Sequence, residues 1–348
     1  MKYYNIHGIV NILAANLDKS QMYEMAAHLR EFEVQYLEKD QIDITIGRYS
    51  EKPSLKERTV ISDYYYYSDN WLDIPEKKLC FNVINSPITV YCEKFMLPVN
   101  LLVELVLLRK RYSLIHSAGF SFRGCGYLIP TFGGVGKTTT LAKILENGGK
   151  LFGDDLVIIK DNTVLSYPLD FSVYSYHMKI LKINNKIVRR KFFKTKLIDY
   201  IINSINRMNG YRIIKGIILV LKSFRKSYYP ISPKSIFGSD CIENEGSITK
   251  VLYLIKKDNN KGNLSICEIL PNELAKISTH ILMSEWSASL QLLLLYGGLT
   301  EFSIVTLYSS IEDTFRNSFK KTKCYEVILP TKMLLSDYIQ QLNDKCLN

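Results

Sequence analysis

A glycine-rich loop between an apolar strand and a helix is the feature that most constrains the fold of this chain. Residues 131–140 read TFGGVGKTTT, and an apolar run over 125–132 leads into the glycines. Glycines permit positive φ and a close approach of backbone amides to a phosphate. A helix beginning at Lys137 adds the positive end of its dipole. The pattern predicts an α/β chain that binds a nucleotide through Gly133, Gly134, Val135, Gly136, Lys137, Thr138 and Thr139.

The loop departs from the strict G-x-x-x-x-G-K-[ST] pattern at its first position, where Thr131 stands in place of glycine. In that pattern the lysine bridges the β- and γ-phosphate oxygens and the following hydroxyl ligates Mg²⁺. We therefore expect Lys137 to contact the phosphates and Thr138 to contact the metal. The alternative is a glycine-rich turn that precedes a helix by chance.

Two adjacent carboxylates, Asp154 and Asp155, follow the predicted helix and interrupt an apolar run over residues 150–160. One helix and a reverse turn bring the chain back to the loop over this distance, so the carboxylates can face the phosphates. Adjacent acids in an apolar strand cost desolvation unless a cation or a base pairs with them. One would hold Mg²⁺ and the other would accept the proton of an attacking hydroxyl. The alternative is a solvated Gly-Asp-Asp turn.

His116 lies in the predicted strand 113–122, which comes just before the strand that leads into the loop. A single histidine in an apolar strand is usually a core residue with a satisfied ring. The functional interpretation is a partner that orients or deprotonates one of the acids. Both interpretations stay open at this point.

Positive charge is concentrated in one segment of a chain whose formal net charge is +11. Residues 179–226 contain fourteen Lys or Arg and a single acid, Asp199. Such a field attracts a polyanion or an acidic partner surface, whereas the plainer interpretation is a solvated face. Nucleic acid is an option because basic and aromatic residues alternate there, but it is the less favoured partner.

Composition narrows the class of protein. The seven cysteines are scattered and never form C-x-x-C, which argues against a disulfide framework and favours a cytoplasmic location. The most apolar stretch, 97–108, contains Asn100 and Glu104, so it predicts a buried helix and no membrane span. The start of the chain has no secretory signal pattern.

We expect a smaller N-terminal α+β lobe over residues 1–110 and a catalytic domain over 111–348. Predicted elements include strands at 4–13, 216–221 and 250–256, a helix from Lys137 that stops at Gly148-Gly149, and one helix at 272–296.

These motifs together resemble the catalytic domain of the HPr kinase/phosphorylase superfamily, whose core is shared with ATP-dependent phosphoenolpyruvate carboxykinases. The resemblance rests on His116-Ser117-Ala118, the glycine-rich loop and Leu151-Phe152-Gly153-Asp154-Asp155, and it covers residues 116–160. It implies a P-loop core with a mixed sheet, with ATP and Mg²⁺ as cofactors. It also implies that Asp154 is the catalytic base, that His116 holds Asp154, and that Asp155 and Thr138 contact Mg²⁺.

The resemblance does not extend to an authentic HPr kinase, because the Arg-Gly-Leu-Gly-like segment of those enzymes is missing after the two aspartates and the N-terminal lobe differs. We expect a kinase that transfers the γ-phosphate to a hydroxyl, a serine of a peptide or protein, with an acidic acceptor favoured by the basic segment. Arg189, Arg190, Arg225 and Lys226 are candidates for steadying the transferred phosphoryl group or for docking the acceptor. Relatives often form oligomers, which leaves a homo-oligomer open.

Two other classes remain. One is a small-molecule or carboxykinase-like phosphotransferase, which would need a further substrate site. The other is a nucleotide-sensing module without turnover, which would bind nucleic acid or an acidic partner through residues 179–226.

Overall fold

The computed structural model describes residues 1–55, 59–62, 64–174, 193, 228–258, 263–331, 333 and 335–347. Within these residues the fold is mixed α/β, with three sheets and eight α-helices. Apart from Phe193, the basic segment 179–226 lies outside the described residues, together with the predicted strand 216–221 and the docking candidates Arg189, Arg190, Arg225 and Lys226.

The N-terminal part forms a nine-stranded sheet in the order β3-β1-β2-β4-β9-β8-β7-β6-β5. Its burial alternates along the strands, since Tyr4 and Ile6 are inside and Asn5 is half-buried between them. This alternation is typical of a sheet with one face on the core. The strands are β1 Lys2–Ile6, β2 Val10–Ala14, β3 Glu33–Val34, β4 Ile44–Arg48, β5 Thr59–Ser62, β6 Tyr65–Ser68, β7 Trp71–Ile74, β8 Leu79–Asn82 and β9 Ile88–Cys92.

The single strand predicted over residues 4–13 is a hairpin in the structure. His7 and Gly8 adopt φ of 52° and 70°, and this turn separates β1 from β2. The Asn5 side chain accepts a hydrogen bond from the Gly8 amide at 2.8 Å and thereby stabilises the turn. The turn could not be recognised within the apolar run because a single glycine is its only turn signal in the sequence.

A second sheet of eight strands carries the predicted site. Its order is β11-β10-β13-β14-β17-β19-β18, with β12 beside β10. β17 runs parallel to both β11 and β19, so these three strands end at the same edge. The strands are β10 Ser113–Phe122, β11 Cys125–Pro130, β12 Lys150–Gly153, β13 Leu156–Lys160, β14 Thr163–Leu165, β17 Glu245–Lys257, β18 Ser265–Glu268 and β19 Lys323–Pro330; β15 Phe171–Tyr174 and β16 Tyr228–Ile231 form a separate ribbon.

The helix predicted over residues 272–296 is two helices that meet at Trp286. The Trp286 amide bonds to the Met283 carbonyl at 3.2 Å, which tightens the last turn, and a new helix starts at the next residue. The helix from Ile304 was not predicted. The helices are α1 Lys19–Leu29, α2 Val99–Arg109, α3 Lys137–Glu146, α4 Pro233–Phe237, α5 Pro271–Glu285, α6 Ser287–Gly297, α7 Ile304–Phe319 and α8 Leu335–Leu342.

The second sheet is covered on both faces. Leu128 of β11 points into one hydrophobic cluster, which contains the N-terminal sheet and residues of α2, α5, α6 and α7. Its neighbours Tyr127 and Ile129 point into a second cluster, where α3 and α8 pack. Because the first cluster runs from the N-terminal sheet into the second sheet, the division at residue 110 stays a prediction.

Two further observations concern the cysteines and the prediction of no membrane span. All seven cysteines are free, and five of them are buried. No helix among the described residues is both long enough and apolar enough to cross a bilayer.

Candidate functional site

The glycine loop, residues 131–136, connects the end of β11 to the start of α3. Gly134 and Gly136 adopt φ of 81° and 120°, in the left-handed region that disfavours other residues. A Cβ added at either position would meet nothing within 4 Å, so both residues face open space. The glycines are therefore required by the backbone path and not by packing.

The N-terminus of α3 is open toward the same space. Gly136 is its N-cap, and no described side chain accepts a hydrogen bond from the first turn. The helix is fixed in direction because Leu141 and Ile144 are fully buried. On its far side, the Thr140 hydroxyl lies 2.8 Å from the Tyr338 hydroxyl of α8. A helix end of this kind attracts an anion through its amides and its dipole.

Lys137 is the best-enclosed cation of the site, with 6% of its surface exposed. Its ammonium contacts Nε2 of His116 and donates to the Thr131 carbonyl at 3.3 Å. Oδ1 of Asp155 lies 3.8 Å away. Burial lowers the pKa of Lys137, and the carboxylates of Asp155, Asp154 and Glu285 oppose that shift. The side chain is thus held by its neighbours at the mouth of the glycine loop.

The two aspartates lie between β12 and β13, where the chain folds back on itself. Gly153 allows this, because a Cβ there would lie 2.1 Å from the Leu156 carbonyl oxygen. Thr138 Oγ1 donates to Asp154 Oδ2 at 2.9 Å, and the backbone carbonyl of Asp155 accepts from the Ser117 amide at 3.0 Å. The side chain of Asp154 is buried, whereas that of Asp155 is 44% exposed.

Asp154 carries an unmet hydrogen-bonding requirement. Its Oδ1 is buried and has no partner among the described residues. Burial, followed by repulsion from Asp155, raises the pKa of Asp154 to about 7, against the opposing effects of Lys137 and Thr138. A buried acceptor without a partner calls for an explanation, and a bound cation is one.

The expected contact between His116 and Asp154 is not formed. His116 lies opposite Leu156 in the β10–β13 ladder, while Asp154 lies outside both strands and turns to Thr138. The His116 ring meets Lys137 instead, with Oε1 of Glu285 at 3.8 Å from Nε2. Burial and the Lys137 charge lower the pKa of His116 to about 3, so the ring is neutral and its Nε2 accepts from the ammonium.

A cavity of about 650 Å³ lies over the glycine loop. It is lined by residues 133–139, Asp155, His116 and Glu285. The other lining residues come from β15, from the ends of β17 and β19, and from the chain that follows β19. They are Ser172, Tyr174, Lys256, Leu329, Pro330, Thr331, Met333 and Tyr338.

Sequence reasoning missed nine of the residues that line this cavity, among them Lys256, Glu285 and Tyr338. Lys256 donates to the Gly134 carbonyl at 3.0 Å. Lys256 is the last residue of the strand that the sequence predicted over residues 250–256. Its position beside the loop depends on the order of the strands in the sheet, which the sequence did not predict. Glu285 was assigned to the middle of a long helix, whereas in the structure it is the last residue of α5 and lines the cavity.

The donor set fits a magnesium ion that shares its ligands with phosphate. Thr138 and the two aspartates offer oxygen atoms, which are the ligands Mg²⁺ prefers, and Asp154 Oδ1 awaits a partner. Among the described residues no group of three His, Cys, Asp or Glu could hold a metal alone. Any Mg²⁺ here would therefore complete its shell with phosphate oxygens and water.

Comparison with known proteins gives little beyond this geometry. No family model matches the chain, and no curated protein matches it. A structure comparison pairs it with the Hpr(Ser) kinase/phosphatase from Coxiella burnetii, with 13% identity over 68% of this chain and 97% of that chain and a TM-score of 0.28. A likeness this distant carries no argument about activity, substrate or site residues.

Proposed function

We propose that this chain is an ATP- and Mg²⁺-dependent kinase that transfers the γ-phosphoryl group to a hydroxyl, a serine of a peptide or protein. The observation that carries the proposal is the convergence of Lys137, Thr138 and two carboxylates at the end of the glycine loop. Thr138 reaches Asp154 at 2.9 Å and Lys137 reaches Asp155 at 3.8 Å. A cation, a hydroxyl and paired acids at an anion-binding helix end are the groups that phosphoryl transfer requires.

In this proposal β11, the glycine loop and α3 form a P-loop core. The backbone amides of the loop and of the first turn of α3 bind the phosphate tail, and the Lys137 ammonium neutralises it. His116 acts through Lys137: its neutral ring accepts from the ammonium and keeps the lysine directed along the loop. His116 is therefore assigned as a positioning residue.

The geometry favours an exchange of the roles that the resemblance gave to the two aspartates. Asp154 is buried, bonds to Thr138 and has one carboxylate oxygen without a partner among the described residues, so Thr138 and Asp154 would hold Mg²⁺. When bound, Mg²⁺ neutralises charge on the phosphate oxygens. Asp155 lines the cavity and is partly exposed, which suits a group that must reach an acceptor hydroxyl.

The transfer step then follows. The acceptor oxygen forms a bond to the γ-phosphorus while the bond from that phosphorus to the β–γ bridging oxygen breaks, and ADP leaves. The proton of the acceptor hydroxyl passes to the Asp155 carboxylate. Lys137 and the loop amides stabilise the charge that develops on the transferred group.

The proposal is tested by incubating the full chain with γ-labelled ATP, Mg²⁺ and extract of its own cells, and identifying labelled products by mass spectrometry. We expect phosphoserine in a peptide or protein, and we expect Lys137→Ala to lose ATP binding. Label in a small molecule would favour the small-molecule phosphotransferase. ATP binding without any labelled product would favour the sensing module, and absence of ATP binding would overturn the proposal.

A further inference from the structure

Lys256 brings a second cation to the glycine loop from a different strand. It lies near the end of β17, which runs parallel to β11, so both strands deliver their last residues to the same edge. Its ammonium donates to the Gly134 carbonyl at 3.0 Å. The side chain lines the same cavity as the loop. Binding sites in open α/β sheets form at such carboxyl ends of parallel strands.

The surroundings of Lys256 differ from those of Lys137. Lys137 is buried among Asp154, Asp155 and Glu285, which offset its charge. Within the part of the chain that the structure describes, the Lys256 ammonium meets the Gly134 carbonyl and no carboxylate. An ammonium has three donors, so two of them remain for a ligand. An exposed cation with no counter-charge, next to amides that attract anions, is complementary to a phosphate chain.

The contact with Gly134 also fixes the loop. Gly134 holds φ at 81°, and a carbonyl bound to Lys256 restrains the peptide that follows it. The same side chain would thus hold the loop in shape before a ligand arrives and add a charge-assisted hydrogen bond afterwards. Preorganisation of this kind strengthens binding because less motion is lost on association.

We propose that Lys256 is a second phosphate-binding cation, which contacts the polyphosphate chain of the nucleotide from the β17 side while Lys137 contacts it from α3. This inference rests on the proposed function, because it names a further ligand contact of the same site. It adds a residue that neither the loop motif nor its spacing identifies.

The test measures binding of Mg·ATP and of inorganic triphosphate to the full chain by calorimetry at several salt concentrations. Lys256→Met is compared with Lys256→Arg and with Lys257→Met, whose side chain is exposed and outside the cavity. We expect Lys256→Met to weaken both ligands about tenfold or more, as expected for a lost charge-assisted hydrogen bond, and to make binding less dependent on salt. Lys256→Arg retains most of the affinity, and Lys257→Met binds as the unaltered chain does.

Each other outcome is decisive. Unchanged affinity and salt dependence in Lys256→Met, with the unaltered chain binding both ligands, overturns this inference and leaves the proposed function standing. Weaker binding with an unchanged salt dependence also overturns it, because the lysine then acts only on loop shape. If the unaltered chain binds neither ligand, the proposed function falls and this inference with it. A thermal melt of each variant confirms that it is folded.

Discussion

Thr138 Oγ1 donates a 2.9 Å hydrogen bond to Asp154 Oδ2, which ties the first turn of α3 to the gap between β12 and β13. The bond uses the hydroxyl hydrogen and one carboxylate oxygen. The lone pairs of Thr138 and the second oxygen of Asp154 are left for a cation. This relationship separates the two aspartates, since Asp155 is directed at Lys137 and the cavity.

Substitutions of the two aspartates are expected to reduce activity in different ways. Asp155→Asn should reduce phosphoryl transfer by about 10²-fold or more with ATP affinity kept, because it removes the group proposed to accept the proton of the acceptor hydroxyl. Asp154→Asn should also reduce transfer, but with a higher Mg²⁺ concentration needed for half-maximal rate. Initial rates across a Mg²⁺ series, with ATP binding measured in parallel, separate the two. Full activity in Asp155→Asn would refute the role of Asp155 as proton acceptor.

The Thr138 hydroxyl is expected to matter more than its methyl group. Thr138→Ala should weaken Mg·ATP binding and leave Asp154 with both oxygens unpartnered, whereas Thr138→Ser keeps the oxygen and should bind nearly as the unaltered chain does. Calorimetry with and without Mg²⁺ checks this. Equal affinities for the alanine and serine variants would mean that the hydroxyl contacts no metal.

Backbone conformation at Gly136 gives a prediction independent of the chemistry. Gly136→Ala should lower the free energy of unfolding by about 1–3 kcal/mol, because an alanine is strained at φ of 120° even though space for its Cβ is open. Gly133→Ala is the matched control, since Gly133 also faces open space but lies outside the left-handed region. Urea unfolding measures both, and an equal loss in the two variants would contradict the prediction.

Glu104 predicts a pH dependence of stability away from the site. It is fully buried on α2, accepts from the Leu114 amide at 2.6 Å and lies 2.5 Å from the Ser113 hydroxyl. Burial raises its pKa to about 8. Because the folded value exceeds the unfolded one, the contribution of Glu104 to stability is complete at acid pH. It is lost as pH rises from the unfolded pKa toward the folded value, at up to about 1.4 kcal/mol per pH unit.

Glu104→Gln imitates the neutral carboxyl, since its amide can donate to Ser113 and its oxygen can accept from Leu114. The variant should gain stability relative to the unaltered chain as pH rises from 5 to 8. Glu76→Gln, at an exposed position, is the control. Urea unfolding at several pH values measures the difference, and a difference that does not change with pH would refute a neutral Glu104.

Local signals in the sequence predicted the elements around the glycine loop. The apolar run before it, the Gly-Lys-Thr string and the Gly-Gly stop after α3 correspond to β11, the loop and α3. Asp154 and Asp155 could be placed near Lys137 because one helix and one turn fix the return path. Contacts that depend on strand order could not be read this way, and Lys256 beside Gly134 is the clearest case.

The directions of individual side chains could not be predicted from the sequence either. The partner of His116 depends on where β12 stops and β13 begins, and two residues outside the ladder are enough to turn Asp154 away from it. No glycine or proline near Trp286 signals the break between the two helices. The sequence therefore predicted one continuous helix, with Glu285 in its interior. The basic segment, the strongest charge signal in the sequence, lies outside the described residues.

The burial of α2 limits how far the chain can be shortened from its N-terminal side. Nine consecutive residues of that helix, from Val99 to Leu107, are hidden between the two sheets. A shortened chain starting after the helix would expose the apolar face of β10 that α2 covers, and exposed apolar surfaces of this kind associate with one another. The residues before β10 therefore cover apolar surface of the sheet that carries the candidate site, and a chain without them is expected to aggregate.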